Sequence, residues 1–320
     1  MKKILVTGAA GLIGFALSHK LESLGYAVIK SDLRFCDNSL DFTSHNIIPL
    51  LEQCDGVIHL AGISRVIDGE KHTELCKEIN VNGTIKFLNF CKNINNKPWF
   101  IYGSSREVYG QQKVLPVSED VTLKPLNVYA ESKVSIENTI SDLRKHGFKG
   151  LILRFSNVYG GMLDHYNRVI PAFCLNALKN DLITIEGSEC VFDFTYINDV
   201  VDGIALAVNK MQKNILQEPA IHFTGNRGCN LEHLAKIILK ITGSNSNLKY
   251  YPARTFDVGK FYGDYSLATK LLNWRPKHSL EDGLKRFIYE IKNSAKECPY
   301  NLKMTLYEDI KSYSWLPALL

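Results

Sequence analysis

The sequence has no long apolar run, and nothing in it resembles a secretion signal. No segment approaches the roughly 20 apolar residues that a membrane-spanning helix needs. The first apolar segment, at 3–7, is too short for a signal peptide and lacks a cleavage site. We therefore expect a cytoplasmic protein with no membrane partner.

The sequence also lacks paired cysteines and a strong charge imbalance. Its eight cysteines form no C-x-x-C pair and no zinc-binding spacing with histidine, so we predict no metal site and buried, reduced thiols. The net charge of +5, from 38 basic and 33 acidic residues, is small and shows no basic run. That excess suits an anionic small molecule such as a phosphorylated substrate, and it gives no support to a nucleic-acid partner.

What is present is the composition of a globular protein, with 45% hydrophobic and 22% charged residues in 320. Short apolar runs alternate with helical patterns over the first half of the chain, which predicts an α/β fold with a doubly wound parallel sheet of the Rossmann type. The predicted strands are 3–7, 27–30, 56–60, 100–103 and 151–155, and the predicted helices are 12–24, 45–53, 72–95 and 126–146.

The pattern loosens after about residue 160, which predicts a smaller C-terminal, substrate-binding lid domain. We expect residues 1–160 to bind the cofactor, with later segments near 190–225 rejoining that domain, and residues 161–320 to form mainly the lid and a tail. Predicted elements here are helices at 171–178, 231–241 and 279–293 and strands at 182–185 and 193–197. Asn230 and Gly243 are suitable caps for the middle helix.

A glycine-rich turn follows the first strand and opens the first helix. Glycines at 8, 11 and 14 let the backbone approach a pyrophosphate at the helix N-terminus, and Asp32 ends the next strand, where an acid binds the adenosine ribose. A carboxylate there favours NAD over NADP, although Arg34 lies close by. The predicted cofactor-binding residues of this turn are Gly8, Ala10, Gly11, Leu12, Ile13 and Gly14.

The catalytic candidates lie on a predicted helix and at the end of a predicted strand. Tyr129 and Lys133 are four residues apart, so they share one helix face, and the ammonium together with a cationic nicotinamide is expected to favour the phenolate. Ser105 follows a predicted strand and can hydrogen-bond the reacting oxygen. The trio predicts proton removal from a hydroxyl while NAD takes a hydride.

At these residues the chain resembles the extended short-chain dehydrogenase/reductase superfamily, in its nucleotide-sugar epimerase/dehydratase branch. The matching motifs run in order from residue 3 to about 290: TGAAGLIG at 7–14, HLAG at 59–62, NVNGT at 80–84, SSREVYG at 104–110, YAESK at 129–133, LRFSNVYG at 153–160, DFTYINDVVDGI at 193–204, RTFDV at 254–258 and LNWRPKHSLEDGL at 272–284. The resemblance implies a sugar-modifying NAD enzyme that forms a homodimer through the helices near 72–95 and 126–146.

The resemblance also implies roles for further residues. Asp41 and Phe42 would meet the adenine, and the NAD cleft would be completed by Leu60, Ala61, Gly62, Asn80, Ser104, Tyr129, Lys133 and Phe155. Asn157 and Arg254 would hold the nucleotide phosphates of the substrate. Ser64, Arg106 and Arg168 are the other predicted substrate-binding residues.

The chain departs from the family pattern at two places that bear on chemistry. Phe192 stands before Asp193 where relatives often carry an arginine, so one phosphate-binding cation is missing, and Arg168 or Arg254 would compensate. Related 4,6-dehydratases carry Asp-Glu where this chain has Arg106-Glu107. Glu107 matches their base, but an arginine cannot donate a proton at neutral pH.

Three functions therefore stay open from sequence. The first is a nucleotide-sugar 4-epimerase of the UDP-sugar type. It would form a transient 4-keto sugar and reduce it again from the other face. The second is a 4,6-dehydratase or simple oxidoreductase that uses Glu107 at C5. The third is a non-catalytic NAD-binding sensor, against which the intact Ser105, Tyr129 and Lys133 argue. The tail at 296–320 is expected to pack or to contact another subunit.

Overall fold

A computed structural model describes residues 1–35, 40–216 and 218–293 of the chain. The tail predicted at 296–320 lies outside these residues. Within them, no helix is long and apolar enough to cross a membrane. Six cysteines are buried and unpaired there, as predicted: Cys54, Cys76, Cys91, Cys174, Cys190 and Cys229.

Strands occupy both halves of the chain. They are β1 (Lys3–Thr7), β2 (Ala27–Ser31), β3 (Gly56–His59), β4 (Trp99–Ser105), β5 (Gly150–Phe155), β6 (Asn157–Tyr159), β7 (Ile183–Glu186), β8 (Val191–Tyr196), β9 (Ala220–Phe223), β10 (Gly228–Asn230) and β11 (Leu248–Tyr251).

The helices follow the predicted alternation. They are α1 (Leu12–Ser23), α2 (Ile48–Leu51), α3 (Val66–Lys71), α4 (Thr73–Lys77), α5 (Thr84–Asn93), α6 (Val128–Lys145), α7 (Val169–Lys179), α8 (Ile197–Gln212), α9 (Leu231–Thr242), α10 (Ser266–Leu272) and α11 (Leu280–Asn293). Single 3-10 turns cover His45–Ile47 and Arg106–Tyr109, and a π-helical turn covers Glu78–Gly83.

Six parallel strands form the main sheet in the order β2-β1-β3-β4-β5-β9. The predicted α/β fold with a parallel, doubly wound sheet is therefore confirmed. Ile4, Leu5 and Val6 are fully buried, because a parallel sheet is covered by helices on both faces. The carboxyl ends of the strands meet at one edge, where the chain leaves β1, β2, β3, β4 and β5 in turn.

The later segments divide between this sheet and a smaller one. β9 adds the outer strand beside β5, and α8 packs against α1, whereas β8 pairs with β6 and β10 in a three-stranded sheet. The segment near 190–225 thus rejoins the main sheet only through its second part. One apolar cluster continues from β1 through α8 to α11 and includes Ile4, Ile204 and Leu284. The division into a cofactor domain and a lid stays a prediction.

The helix predicted over 72–95 is interrupted in the structure. α4 leads into the π-helical turn Glu78–Gly83, and regular helix resumes at α5. A π turn inserts one residue into the helical repeat, so side chains before and after it lie on different faces than an unbroken helix would give. Here it points Asn80 into the protein, where that residue is 2% exposed.

Candidate active site

A cavity of 1190 Å³ lies at the carboxyl ends of the main-sheet strands. It brings together segments that are far apart in the sequence. Its lining contains nearly all the residues proposed above: Gly8, Ala10, Gly11, Leu12, Ile13, Gly14, Asp32, Asp41, Phe42, Leu60, Ala61, Gly62, Ser64, Ser104, Ser105, Arg106, Glu107, Tyr129, Lys133, Phe155, Asn157, Arg168 and Arg254.

The glycine-rich turn is packed too closely for side chains. A Cβ atom on Gly14 would lie 2.1 Å from the Gly8 carbonyl oxygen, and one on Gly8, whose φ is +68°, would lie 2.7 Å from the Ala61 nitrogen. Gly11 caps α1 without a side-chain hydrogen bond. The first-turn N–H groups of α1 therefore point into the cavity without a capping side chain, which suits a pyrophosphate.

Asp32 lies beside this turn and is tied to it. Its Oδ2 accepts a hydrogen bond from the Ala10 nitrogen at 3.0 Å, and Arg34 donates to both carboxylate oxygens at 3.2 Å. The Asp32 carboxylate thus lines the cavity in a fixed position, paired with the Arg34 cation. The Arg34 backbone N–H also donates to Oδ1 at 3.0 Å, so each oxygen already accepts two hydrogen bonds. A ribose hydroxyl that donates to Asp32 would take the place of a bond from the Arg34 side chain.

Asp41 and Phe42 form the neighbouring wall. The Asp41 carboxylate accepts from the Thr43 nitrogen at 2.7 Å and from the Thr43 hydroxyl at 2.8 Å, which fixes a tight turn. The Phe42 ring packs edge-on against His59 at 4.8 Å between centroids. Both residues therefore present a rigid surface, with an apolar part suited to an adenine ring.

This combination fits a dinucleotide. The glycine turn leaves room where any Cβ would clash, and the α1 N-terminus provides donors. Asp32 and Phe42 line the same cavity, where they could meet the adenosine of a dinucleotide. The residues that would hold the cofactor lie on the same cavity as the catalytic candidates. No group of three or more His, Cys, Asp or Glu residues that could hold a metal ion is found in the described part of the chain.

The catalytic candidates converge at the other end of the cavity. Asn127 caps α6 by accepting from the Ala130 nitrogen at 2.8 Å, which places Tyr129 and Lys133 on the first turns. The Lys133 Nζ donates to the Gly103 carbonyl at 2.8 Å and lies 5.6 Å from the centre of the Tyr129 ring. Ser105 ends β4 beside them.

Burial disfavours the charged form of both partners. It raises the pKa of Tyr129 to about 12, although the nearby Ser105 hydroxyl works in the opposite direction. It also lowers the pKa of Lys133 to about 8. Burial, with the nearby Glu107 charge, thus opposes the expected phenolate, and the Ser105 hydroxyl favours it.

Arg106 and Glu107 form a buried ion pair in the cavity wall. The Arg106 Nη2 lies 2.7 Å from the Glu107 Oε1, and the two side chains are 6% and 8% exposed. Asn127 contributes a hydrogen bond to the other Glu107 oxygen at 3.4 Å. Glu107 also lies close enough to Tyr129 for its charge to raise the pKa of that phenol.

The predicted phosphate-binding residues line the cavity but are partly engaged with the protein. Asn157 donates to the Asp193 carbonyl at 3.2 Å, Arg168 pairs with Asp164 at 2.9 Å, and Arg254 pairs with Asp257 at 2.8 Å. Both arginines keep further N–H donors, since a guanidinium has five.

A family model decides the wider assignment. The model described as "NAD dependent epimerase/dehydratase family" matches residues 4–218, which include the glycine turn, Ser105, Tyr129 and Lys133. The chain belongs to the NAD dependent epimerase/dehydratase family. It is therefore an enzyme, and NAD is its cofactor, as predicted.

Relatives within the family are similar over most of the chain. A putative UDP-glucose 4-epimerase of Methanocaldococcus jannaschii is 30% identical, covering 92% of this chain and 99% of the relative. The UDP-glucuronic acid decarboxylase 1 of Danio rerio is 28% identical over 90% of this chain and 72% of its own. The crystal structure of a UDP-glucuronic acid 4-epimerase from Bacillus cereus, with UDP-glucuronic acid and NAD, is 28% identical and superposes with a TM-score of 0.83, covering 91% and 99% of the two chains.

Asn80 is the residue that the structure places differently from the prediction. It does not line the cavity. Its Oδ1 accepts from the Ile63 nitrogen at 2.8 Å, and its Nδ2 donates to the Ile63 carbonyl at 3.0 Å and to the Ser132 hydroxyl at 3.2 Å. Asn80 thus supports the wall formed by the loop after β3 by hydrogen bonds, and its contact with NAD stays a prediction.

Several lining residues carried no signal in the sequence. Arg65, Asp164, His165 and Tyr166 line the cavity although they belong to loops without a motif. Arg65 lies 3.9 Å from Asp68. Only the position of Arg65 next to Ser64 hinted at its place, because loop conformation depends on contacts that are distant in the chain.

Proposed function

We propose that the enzyme is a nucleotide-sugar 4-epimerase that acts through a transient 4-keto sugar. The observation that carries the proposal is the convergence of Ser105, Tyr129 and Lys133 at one end of the cavity whose other end fits the dinucleotide. In the proposed reaction the 4-keto sugar turns within this cavity, so that its C4 carbon can be reduced from either face of the ring.

The side chains supply proton transfer and positioning. NAD held at the glycine turn and Asp32 would supply a hydride acceptor for the first half of the reaction and a hydride donor for the second. Tyr129 Oη removes the proton of the C4 hydroxyl and gives it back, and Ser105 holds the same oxygen by a hydrogen bond. Lys133, fixed by the Gly103 carbonyl, holds its ammonium near the phenol and favours the phenolate.

The pair Arg106–Glu107 favours epimerisation over 4,6-dehydration. Elimination of water across C5 and C6 needs a base and an acid. Glu107 can serve as the base, but Arg106 stands where a proton donor is required and is held there by the 2.7 Å ion pair. A dehydratase or a simple 4-oxidoreductase that uses Glu107 at C5 is the second candidate.

The proposed activated group is a uridine diphosphate. The relatives named above include enzymes of UDP-glucose and UDP-glucuronic acid. The proposed contacts of the nucleotide-sugar substrate line the cavity and are Ser64, Asn157, Arg168 and Arg254. Arg168 and Arg254 would offer their cations to the diphosphate.

The experiment is a panel of UDP-sugars incubated with the NAD-loaded enzyme in deuterated water and followed by NMR. Inversion at C4 without deuterium uptake supports the epimerase. A new methyl group with deuterium at C5 supports the dehydratase. Accumulation of a 4-keto sugar together with NADH identifies the oxidoreductase and contradicts the proposal.

A homodimer and a cytoplasmic location complete the proposal. The dimer would form through the predicted helices, now α4, α5 and α6, whose exposed residues are polar, including Lys86, Lys92, Glu131 and Asp142. Light scattering on the purified protein gives the mass that tests it. The unpaired buried cysteines support a reducing compartment, and cell fractionation tests the location.

A further inference from the structure

The Asn127 side chain does more than cap a helix. Asn127 is 4% exposed, and its Oδ1 accepts a hydrogen bond from the Ala130 nitrogen at 2.8 Å, which caps α6, the helix that carries Tyr129. Its Nδ2 donates to the Phe256 carbonyl at 3.2 Å and to Glu107 Oε2 at 3.4 Å. One buried amide therefore joins three segments of the chain.

Capping alone does not require an asparagine at this position. Serine and aspartate cap helices about as well, because a single acceptor oxygen is enough. Only an amide carries an acceptor and two donors on one planar group. Because Glu107 Oε2 and the Phe256 carbonyl are acceptors and the Ala130 N–H is a donor, one orientation of the amide satisfies all three partners. The two N–H donors of Asn127 are thus the part that a cap leaves unexplained.

Phe256 belongs to a turn in the cavity wall. Its neighbours Arg254 and Asp257 both line the cavity, and they pair with each other at 2.8 Å. The Arg254 guanidinium also lies 5.5 Å from the centre of the Phe256 ring. These contacts hold the turn together, and its Phe256 carbonyl ties it to the start of α6. Arg254 is one of the cations proposed above for the diphosphate.

Apolar packing that does not involve Asn127 also anchors this turn. Val258, which directly follows the turn, is fully buried in a cluster with Val108, Tyr109 and Phe261. We therefore expect loss of the amide donors to leave the turn in place and to loosen its orientation relative to α6. A displacement of about 1 Å between reacting groups can cost about 10²-fold in rate.

We propose that Asn127 is a positioning residue that links the turn at 254–257 to the helix that carries Tyr129. Its Nδ2 holds the turn through the Phe256 carbonyl, while its Oδ1 holds the first turn of α6. A nucleotide sugar bound by Arg254 is thereby aligned with the Tyr129 phenol. This proposal rests on the proposed function, since it takes Arg254 as a contact of the diphosphate and Tyr129 as the proton-transfer group.

The first test separates the cap from the two donors in the full-length, NAD-loaded enzyme. Asn127→Ser keeps a capping oxygen and removes the amide N–H groups. We expect kcat for C4 inversion of the preferred UDP-sugar to fall about 10- to 100-fold, with KM and NAD affinity within about 3-fold of wild type. The matched control is Asn230→Ser, because Asn230 caps α9 through the His233 nitrogen at 2.7 Å and does not line the cavity. This control should change neither kcat nor KM.

Asn127→Asp is the isosteric variant. It keeps the capping oxygen and replaces the donors by an acceptor that faces Glu107 and the Phe256 carbonyl, so kcat is expected to fall at least as far as in Asn127→Ser. If this variant does not fold, Asn127→Ser decides. Wild-type kcat in Asn127→Ser, with native circular dichroism, would show that Asn127 is only a cap and would overturn the proposal.

The second test follows the link without turnover. UDP is added to the NAD-loaded protein, its binding is measured by calorimetry, and amide hydrogen exchange is measured by mass spectrometry on peptides that cover 128–133. Wild type is expected to exchange more slowly there when UDP is bound. Asn127→Ser should lose this protection although UDP still binds, and Asn230→Ser should keep it.

The exchange measurement also distinguishes this proposal from the proposed function. Bound UDP without protection of 128–133 in wild type contradicts the role of Asn127 and leaves the proposed function standing. Protection that depends on Asn127, without C4 inversion of any UDP-sugar, contradicts the proposed function and leaves the positioning role standing. Failure of UDP to bind contradicts both.

Discussion

Tyr129 and Lys133 lie in surroundings that oppose their charged forms. Burial raises the pKa of the phenol to about 12 and lowers that of the ammonium to about 8. The spacing in the sequence predicted that the two share a helix face, and the structure places them so. The sequence did not predict that burial would oppose the charged forms of both side chains, because burial depends on the packing of β4 and α6 around them.

Tyr129→Phe removes the proton-transfer group and little else. We expect the rate of sugar turnover to fall by about 10²- to 10⁴-fold, the usual contribution of a positioned acid or base. Binding of NAD should be retained, because the ring stays in place. Turnover of a UDP-sugar and NAD binding by fluorescence measure the two effects. The matched control is Tyr289→Phe, at a site 70% exposed, and full activity of Tyr129→Phe would refute its role.

Lys133→Met should stabilise the fold at neutral pH while it abolishes catalysis. The folded pKa of about 8 lies below the unfolded value of about 10.4, so folding is opposed while the group is charged in both states. This penalty is full below pH 8 and disappears as the pH rises from 8 to 10.4. After the lost hydrogen bond to Gly103, we expect a net gain of about 1–2 kcal/mol at pH 7.

Urea unfolding of the NAD-free proteins at pH 7 and at pH 10 measures this effect. The advantage of Lys133→Met over wild type should shrink or reverse at the higher pH. An advantage that is the same at both pH values would show that Lys133 does not carry the expected depressed pKa.

At the scale of elements, a buried ion pair holds α6 on β5. Arg154 Nη2 lies 2.6 Å from Glu137 Oε2, and the Ser104 hydroxyl donates to Glu137 Oε1 at 2.5 Å. The pair joins the helix that carries Tyr129 to the strands beneath it. It was not predicted, because neither residue belongs to a spacing that indicates contact between separate elements.

Glu137→Gln leaves the Arg154 charge buried without a full partner. We expect the free energy of unfolding to fall by about 3–5 kcal/mol, as for other broken buried pairs. The control on the same helix is Glu131→Gln, an exposed residue for which a change within about 0.5 kcal/mol is expected. Equal stability of the two variants in urea would mean that the pair does not support the helix.

The glycine turn shows which elements a sequence can define. Its β1–turn–α1 pattern was predicted nearly to the residue, because glycine spacing and apolar periodicity are local signals. The helix over 72–95 was predicted as one element, whereas the structure has a π-helical interruption there, with Asn80 hydrogen-bonded to the distant Ile63. α8 and β9 were missed as separate elements, since the motif around them indicated a family and not a periodicity.

Gly14→Ala should displace the start of α1 from the glycine-rich turn that precedes it. The added Cβ would lie 2.1 Å from the Gly8 carbonyl oxygen, so the backbone must move. We expect NAD binding to be lost and the free energy of unfolding to fall by about 1–3 kcal/mol, as for overpacking. Gly259→Ala is the control, because its nearest contact would be 3.6 Å. Unchanged NAD affinity in Gly14→Ala would contradict the assignment of the cofactor turn.

At the scale of the whole molecule, the cavity joins segments from both halves of the chain. Asp193 shows how: it is fully buried, accepts from the Gly225 nitrogen at 2.6 Å, and its other oxygen accepts from the Gly263 nitrogen at 3.3 Å. The class of chemistry followed from motifs in the first half. The shape of the substrate-binding part of the cavity did not follow from the sequence. Its loops carry no repeating pattern and take their conformation from contacts such as these.

The central claim is that hydride leaves C4 of the sugar and returns to C4 on the same enzyme. UDP-glucose and UDP-glucuronate that carry deuterium at C4 are incubated with the NAD-loaded enzyme, and the products are examined by NMR and mass spectrometry. The account predicts inversion at C4 with the deuterium retained there for the preferred sugar. Deuterium lost to water, or product formed with C4 unaltered and C5 exchanged, would contradict it.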